Sequence, residues 1–207
     1  MKAIAAGALA ALLALPAPSL AHRLDEYLQA TRISLARDHI DVELDVTPGM
    51  LIAWNVTSRL DLDADGQISP LEAEAYGRTV LRDAQLDLDG VPLLLRLTRV
   101  EVPSVGELND GVGTIQIRAT GQIHPIAPGR RSVFFVNNHH PDGSVYLANA
   151  LVSVAPGIDV VAQTRDVRQR EIRVDYEVRG TSGFPLAWSL VATVMLATLV
   201  VFRKRAR

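Results

Sequence analysis

A short alternation of apolar and polar residues restricts the fold of this chain more than any other feature. Ile40, Val42, Leu44 and Val46 alternate with three acidic residues. A period of two gives one buried and one solvated face, which is typical of a β-strand. The preceding run, YLQATRISL, has the pattern of a hairpin partner for this strand.

Similar runs recur through the chain and are separated by turn signals. Asp89-Gly90 lies between two apolar runs and is the favoured pair for a two-residue hairpin turn. Pro-Gly or Asp-Gly pairs at 128–129, 142–143 and 156–157 punctuate the later runs. The sequence therefore predicts seven to nine short strands in a mainly β fold, an antiparallel β-sandwich. The strand order does not follow from the sequence.

Two helical segments interrupt the strands. Thr47-Pro48 predicts a cap and a first-turn proline for a short apolar helix from about Gly49 to Leu60. Ser69 and Glu72 have the capping-box spacing, and good helix formers follow them. We expect a helix–loop–helix at about 49–84, inserted between the second and third strands.

The loop between these helices, DLDADGQISPLE (61–72), gathers four carboxylates in twelve residues. Their mutual repulsion is unfavourable unless a cation binds among them. The pattern resembles the EF-hand calcium-binding motif, with oxygen ligands at positions 1, 3, 5, 7, 9 and 12 and glycine at position 6. The resemblance implies a Ca²⁺ site with these ligands: Asp61, Asp63, Asp65, the backbone carbonyl of Gln67, Ser69 and Glu72. The alternative is a solvated acidic turn before a capped helix.

The sequence contains one such loop, whereas calcium sensors expose an apolar groove by means of paired EF-hands. The bound calcium is therefore expected to be structural.

The two ends of the chain predict export and membrane anchoring. Residues 1–21 have a positive start, an apolar run and a small-residue cleavage site, as in a secretory signal peptide. Residues 184–202 carry no charge and precede RKRAR, which predicts a transmembrane helix with a cytoplasmic tail. The expected order is a signal peptide (1–21), an exported domain (22–179), a linker (180–183), a transmembrane helix (184–202) and a basic tail (203–207). The exported side is a periplasm or the cell exterior. A C-terminal sorting signal is the alternative for the last segment.

Composition excludes several classes of function for the exported segment. All 23 acidic residues lie in it, against 16 arginines and no lysine, so its net charge is about −7. Such a charge is poorly suited to nucleic acid, whose binding depends on neutralising phosphates. The chain has no cysteine, so disulfides and thiolate sites are absent. No hydrolase elbow, zinc-protease motif or phosphate loop is present, so we do not expect an enzyme.

A wider resemblance is carried by AHRLDEYLQATRISL, DVELDVTPG, SVYLANALV and QTRDVRQREIRVDYEV. These segments are similar to a group of exported bacterial domains of no settled function. Some of those domains precede multi-pass segments of the hydrogenase and urease accessory nickel-permease type (HupE/UreJ). This chain has one candidate span, so a permease activity is not implied. The resemblance names no activity. We expect a binding, interaction or accessory module, with another membrane or exported protein as its partner.

The histidines indicate a different class of function. Cleavage after Ala21 would leave His22 as the mature N-terminus, where the amine and imidazole together can chelate copper. His124, His139 and His140 could supply further nitrogen ligands, since imidazole suits Cu, Ni and Zn. The alternative function is therefore a periplasmic accessory protein that binds copper or nickel. Against this, adjacent histidines in a strand point to opposite faces.

Overall fold

A computed structural model describes residues 24–124, 127–150 and 156–180 of the chain. The predicted signal peptide, His22, the predicted transmembrane helix and the basic tail lie outside these ranges. Within the described residues, no helix has the length and apolar character needed to cross a bilayer.

The described residues contain ten strands and three helices. The strands are β1 (Tyr27–Leu35), β2 (His39–Pro48), β3 (Ala84–Leu88), β4 (Val91–Leu93), β5 (Leu95–Glu101), β6 (Ile115–Gln122), β7 (Gly129–Asn137), β8 (Ser144–Ala150), β9 (Ile158–Arg165) and β10 (Glu171–Val178). The helices are α1 (Met50–Leu60), α2 (Pro70–Arg82) and α3 (Val105–Asn109).

The strands form two five-stranded sheets. The first sheet has the order β5-β6-β2-β1-β8 and the second has the order β4-β3-β7-β10-β9. Buried side chains of both sheets belong to one hydrophobic core, with Ile33 and Ile117 from the first and Phe135 and Ile172 from the second. The prediction of a mainly β fold is confirmed, and the shared core is consistent with a β-sandwich.

Local signals predicted the hairpins correctly. β1 and β2 pair antiparallel, with Ile33 opposite Val42. Asp89 and Gly90 join β3 to β4, and both residues have positive φ, 52° and 81°. That backbone conformation is the one that a two-residue type I′ turn requires. The helix–loop–helix of α1 and α2 lies between β2 and β3, as expected.

Two expectations about the strands were wrong. One pairing is not antiparallel, because β8 runs parallel to β1. β8 follows β7 of the other sheet, so its direction is set by a crossing between sheets and not by a hairpin. The described residues also contain ten strands and not the predicted seven to nine, because the apolar run at 91–97 belongs to two strands, β4 and β5. This run breaks at the exposed Leu94, after which β4 stays in the second sheet and β5 enters the first.

The predicted cap of the first helix was also wrong. β2 continues through Thr47 and Pro48, which pair with β1. The Thr47 hydroxyl lies 2.7 Å from the Thr114 hydroxyl and does not cap the helix. Gly49 is the N-cap residue of α1, and no side chain caps this end. Pairing in the sheet therefore outweighed the local capping signal.

Candidate metal centre

The loop between α1 and α2 brings three carboxylates together. Side-chain oxygens of Asp61, Asp63 and Asp65 lie within 4.8 Å of one another. Asp61 is partly buried, and the other two are exposed. Among the described residues, no other group of three or more His, Cys, Asp or Glu side chains is this close. The cluster could hold a metal ion.

Backbone N–H groups of the loop hold these carboxylates in place. Asp61 accepts hydrogen bonds from the N–H of Asp65 at 3.0 Å and of Gly66 at 2.9 Å. Asp65 accepts one from the N–H of Gln67 at 2.8 Å. Gly66 has a φ of 81°, a conformation that glycine adopts without steric strain. The loop is thus closed around the first carboxylate.

Glu72 lies against the start of the loop. Its Oε1 accepts a hydrogen bond from the N–H of Leu62 at 2.6 Å. Its Oε2 accepts hydrogen bonds from the N–H and the hydroxyl of Ser69, both at 2.8 Å. The Ser69 backbone and side chain, followed by the Leu62 N–H, lower the pKa of the Glu72 carboxyl. The carboxyl is therefore ionised at neutral pH, as a calcium ligand must be.

A second capping box on α3 shows which part of this geometry is unusual. Ser104 and Glu107 make the same reciprocal contacts, with Glu107 Oε2 accepting from the Ser104 N–H at 2.9 Å and hydroxyl at 2.7 Å. The hydrogen bond of Glu72 to Leu62 spans ten residues and ties the end of the acidic stretch to its beginning. This bond is not part of the capping box, because Leu62 lies outside α2 and its N-cap.

α3 was not predicted, although the Ser-x-x-Glu spacing at 104–107 is typical of a capping box at the start of a helix.

The six predicted ligand residues lie in this one loop and at the start of α2. The structure gathers the three aspartates and brings Glu72 to the loop's beginning. The Ser69 hydroxyl is engaged with Glu72, so this hydroxyl and a metal compete for the same carboxylate. The role of Gln67 and Ser69 as ligands stays a prediction.

Both helices fix the loop to the core. α1 buries Val56 and Leu60, and α2 buries Tyr76 and Val80. Gly77 allows α2 to approach β5 closely, since a Cβ there would lie 2.5 Å from Val100 Cγ2. An ion in the loop would therefore connect two helices that are each packed against the sheets.

The structure corrects the interpretation of the adjacent histidines. His139 and His140 follow β7 and are not in a strand, and their ring centroids are 4.2 Å apart. The cause is the φ of 51° at His140, which removes the alternation of a strand. Burial, followed by the charges of His139 and Arg59, lowers the pKa of His140, and Asp83 opposes this shift.

The remaining predicted histidine ligand lies elsewhere. The N–H of Ile123, next to His124, donates to the carbonyl of Asp38, beyond the C-terminal end of β1. The His139 carbonyl instead accepts from Gln29, near the other end of β1. The structure therefore does not bring His124 to the pair.

Comparison with known proteins adds no relative: no family model matches the chain, and no curated protein is significantly similar in sequence.

Proposed function

We propose that this chain is an exported, membrane-anchored domain that binds one calcium ion through the loop at 61–72, and that the calcium is structural. The observation that supports this most is the convergence of three aspartate carboxylates within 4.8 Å, with Glu72 hydrogen-bonded back to Leu62. Four carboxylates in one loop repel each other, and a divalent cation converts that repulsion into ligation.

Calcium suits this loop better than magnesium. Ca²⁺ takes six to eight oxygen ligands at flexible geometry and accepts a bidentate glutamate, whereas Mg²⁺ needs a small octahedral shell and retains waters. Asp61, Asp63, Asp65 and Glu72 provide the charge, with Gln67 and Ser69 completing the EF-hand pattern. On binding, Glu72 would exchange its hydrogen bonds with Ser69 for the metal.

The proposed role is to connect α1 and α2 through the loop at 61–72. Calcium that binds the folded state alone stabilises it by RT ln(1 + [L]/Kd), about 1.4 kcal/mol at tenfold excess over Kd. For a chain of this size we expect the melting midpoint to rise by a few degrees. Thermal melts of the full chain in non-ionic detergent, with millimolar calcium and with chelator, measure this shift. Magnesium at equal concentration should give a smaller shift, and equal midpoints in calcium and chelator would overturn the proposal.

The membrane part of the proposal depends on the sequence of residues 1–21 and 184–202. A reporter that is active only outside the cytoplasm should be active when fused after Arg179 and inactive when fused after Arg207. Cytoplasmic behaviour of both fusions would contradict the predicted export. Anchored in this way, the domain would act as a binding or accessory module for another membrane or exported protein.

A further inference from the structure

The loop after β7 holds His139 in a buried hydrogen-bond network. The residue is 4% exposed, and its carbonyl accepts from Gln29 Nε2 and from the Tyr146 hydroxyl, both at 2.6 Å. Its N–H donates to Asn137 Oδ1 at 2.9 Å, and Asn137 Nδ2 donates to Gln29 Oε1 at 2.8 Å. Both Gln29 and Asn137 are 1% exposed. The position of this histidine is therefore fixed from several sides.

The two ring nitrogens of His139 have different surroundings. Nδ1 lies 2.7 Å from Asp83 Oδ2, and because an ionised carboxylate only accepts, Nδ1 carries the proton. In the neutral ring Nε2 then presents a lone pair, and this atom is buried without a hydrogen-bond partner among the described residues. An unsatisfied buried polar atom is unfavourable, so such an atom in a native structure calls for an explanation, such as an ordered water or a bound ion.

A carboxylate on one nitrogen and a free lone pair on the other is the usual arrangement of a metal-ligating histidine. The carboxylate fixes the tautomer and the ring orientation, and it raises the basicity of the nitrogen that binds the ion. Asp83 is the C-cap residue of α2, and its backbone carbonyl also accepts from the Asn138 N–H at 2.8 Å. The orienting carboxylate is thus rigidly attached to the same loop.

His140 supplies a second imidazole beside the first. Its ring meets that of His139 at 61° and stacks on Tyr27, with centroids 4.5 Å apart. The φ of 51° is uncommon for a residue other than glycine, and such strain clusters at functional sites. His140 is partly exposed, so an ion would approach the pair from its side.

From this geometry we propose that His139 and His140 form a site for a divalent transition-metal ion that prefers imidazole ligands, with Asp83 as the positioning residue. Copper, nickel and zinc belong to this class, whereas calcium prefers oxygen. The chain would then hold two metal sites of different selectivity, at opposite ends of α2. The charge of Arg59 opposes a cation near His140, and the Asp83 carboxylate acts in the opposite direction.

Copper(II) is the appropriate probe, because it binds nitrogen sites most tightly among the divalent ions of its row. The full chain should be titrated in saturating calcium, with His22→Ala as the background so that amino-terminal chelation does not contribute. We expect one copper per chain with nitrogen hyperfine structure in its electron paramagnetic resonance spectrum. A separate calcium titration of the same protein distinguishes the absence of copper binding at the histidines from the absence of calcium binding at the loop.

In this background, His140→Ala should weaken copper binding at least tenfold while the metal-free melting midpoint stays within about 2 °C. Asp83→Asn should weaken binding about 10- to 100-fold, as loss of an orienting partner does. His39→Ala is the matched control, because His39 Nδ1 also lies 2.7 Å from a carboxylate, that of Asp38, but at an exposed position. Unchanged affinity in both the His140 and Asp83 variants, or an equal loss in the His39 variant, would overturn the proposal.

Discussion

Replacing Gly49 by alanine is expected to destabilise the domain by about 1–3 kcal/mol, the usual range for overpacking a filled site. A Cβ at this position would overlap the carbonyl oxygen of Leu24 and would lie 2.9 Å from that of Glu26. Both obstacles are backbone atoms, so no side-chain rotation can relieve them. The same carbonyls accept hydrogen bonds from the N–H groups of Leu51 and Gly49. The substitution would therefore separate the start of α1 from the segment before β1.

Thermal unfolding of the full chain measures this effect, and the midpoint should fall by roughly 2–4 °C per kcal/mol. Gly106→Ala is the matched control, because a Cβ at Gly106 meets no atom within 4 Å. Gly106 lies within α3, where alanine is the better helix former, so this variant should be as stable as the parent or slightly more so. An equal fall in the melting midpoint of the two variants would show that the close backbone contacts of Gly49 are not the cause of the destabilisation.

The parts of the fold that were predictable depend on short stretches of sequence. Alternation and an Asp-Gly turn specify hairpins within a few residues, and the β1–β2 and β3–β4 pairs follow from them. The β1–β8 pairing joins residues more than one hundred positions apart, such as Tyr27 and Ser144. No local pattern encodes that contact, because it arises from how two sheets cover one core.

The two candidate sites differ in the same way, because one is visible in a short stretch of sequence and the other depends on the tertiary fold. The acidic loop could be recognised because its carboxylates are spaced within twelve residues of one chain segment. The surroundings of the histidine pair could not be predicted, because Asp83 and His139 are 56 positions apart and meet only through the tertiary fold. The positive φ of His140 was likewise not encoded in any spacing rule.

The substitution with the largest expected effect on calcium affinity is Glu72→Gln. It removes one charge and the bidentate contact together, and ligand charge is a main determinant of affinity in such loops. We expect a loss of more than tenfold, equivalent to about 1.4 kcal/mol or more. Asp61→Ala should have the next largest effect, because Asp61 both contributes a carboxylate and accepts two loop N–H groups. The apolar core does not depend on either side chain, so both variants should still fold.

Glu107→Gln separates ligation from helix capping. Glu107 caps α3 with the same contacts to Ser104 that Glu72 makes to Ser69, and both carboxyl groups have a lowered pKa caused by the capping serine. Glu72 also accepts a hydrogen bond from the Leu62 N–H, beside the cluster of Asp61, Asp63 and Asp65, whereas Glu107 adjoins no such cluster among the described residues. Removal of the charge at 107 should thus weaken one helix end and leave calcium affinity unchanged.

Calcium binding through Glu72 can be tested by titration calorimetry of calcium into the full chain, its Glu72→Gln variant and its Glu107→Gln variant. We expect one calcium per chain for the parent and the Glu107 variant, with affinity in the 10⁻⁴–10⁻³ M range typical of extracellular modules. For the Glu72 variant we expect at least tenfold weaker binding. An absence of binding heat for the parent at millimolar calcium, or the same affinity in all three proteins, would show that the loop is not a calcium site of this kind.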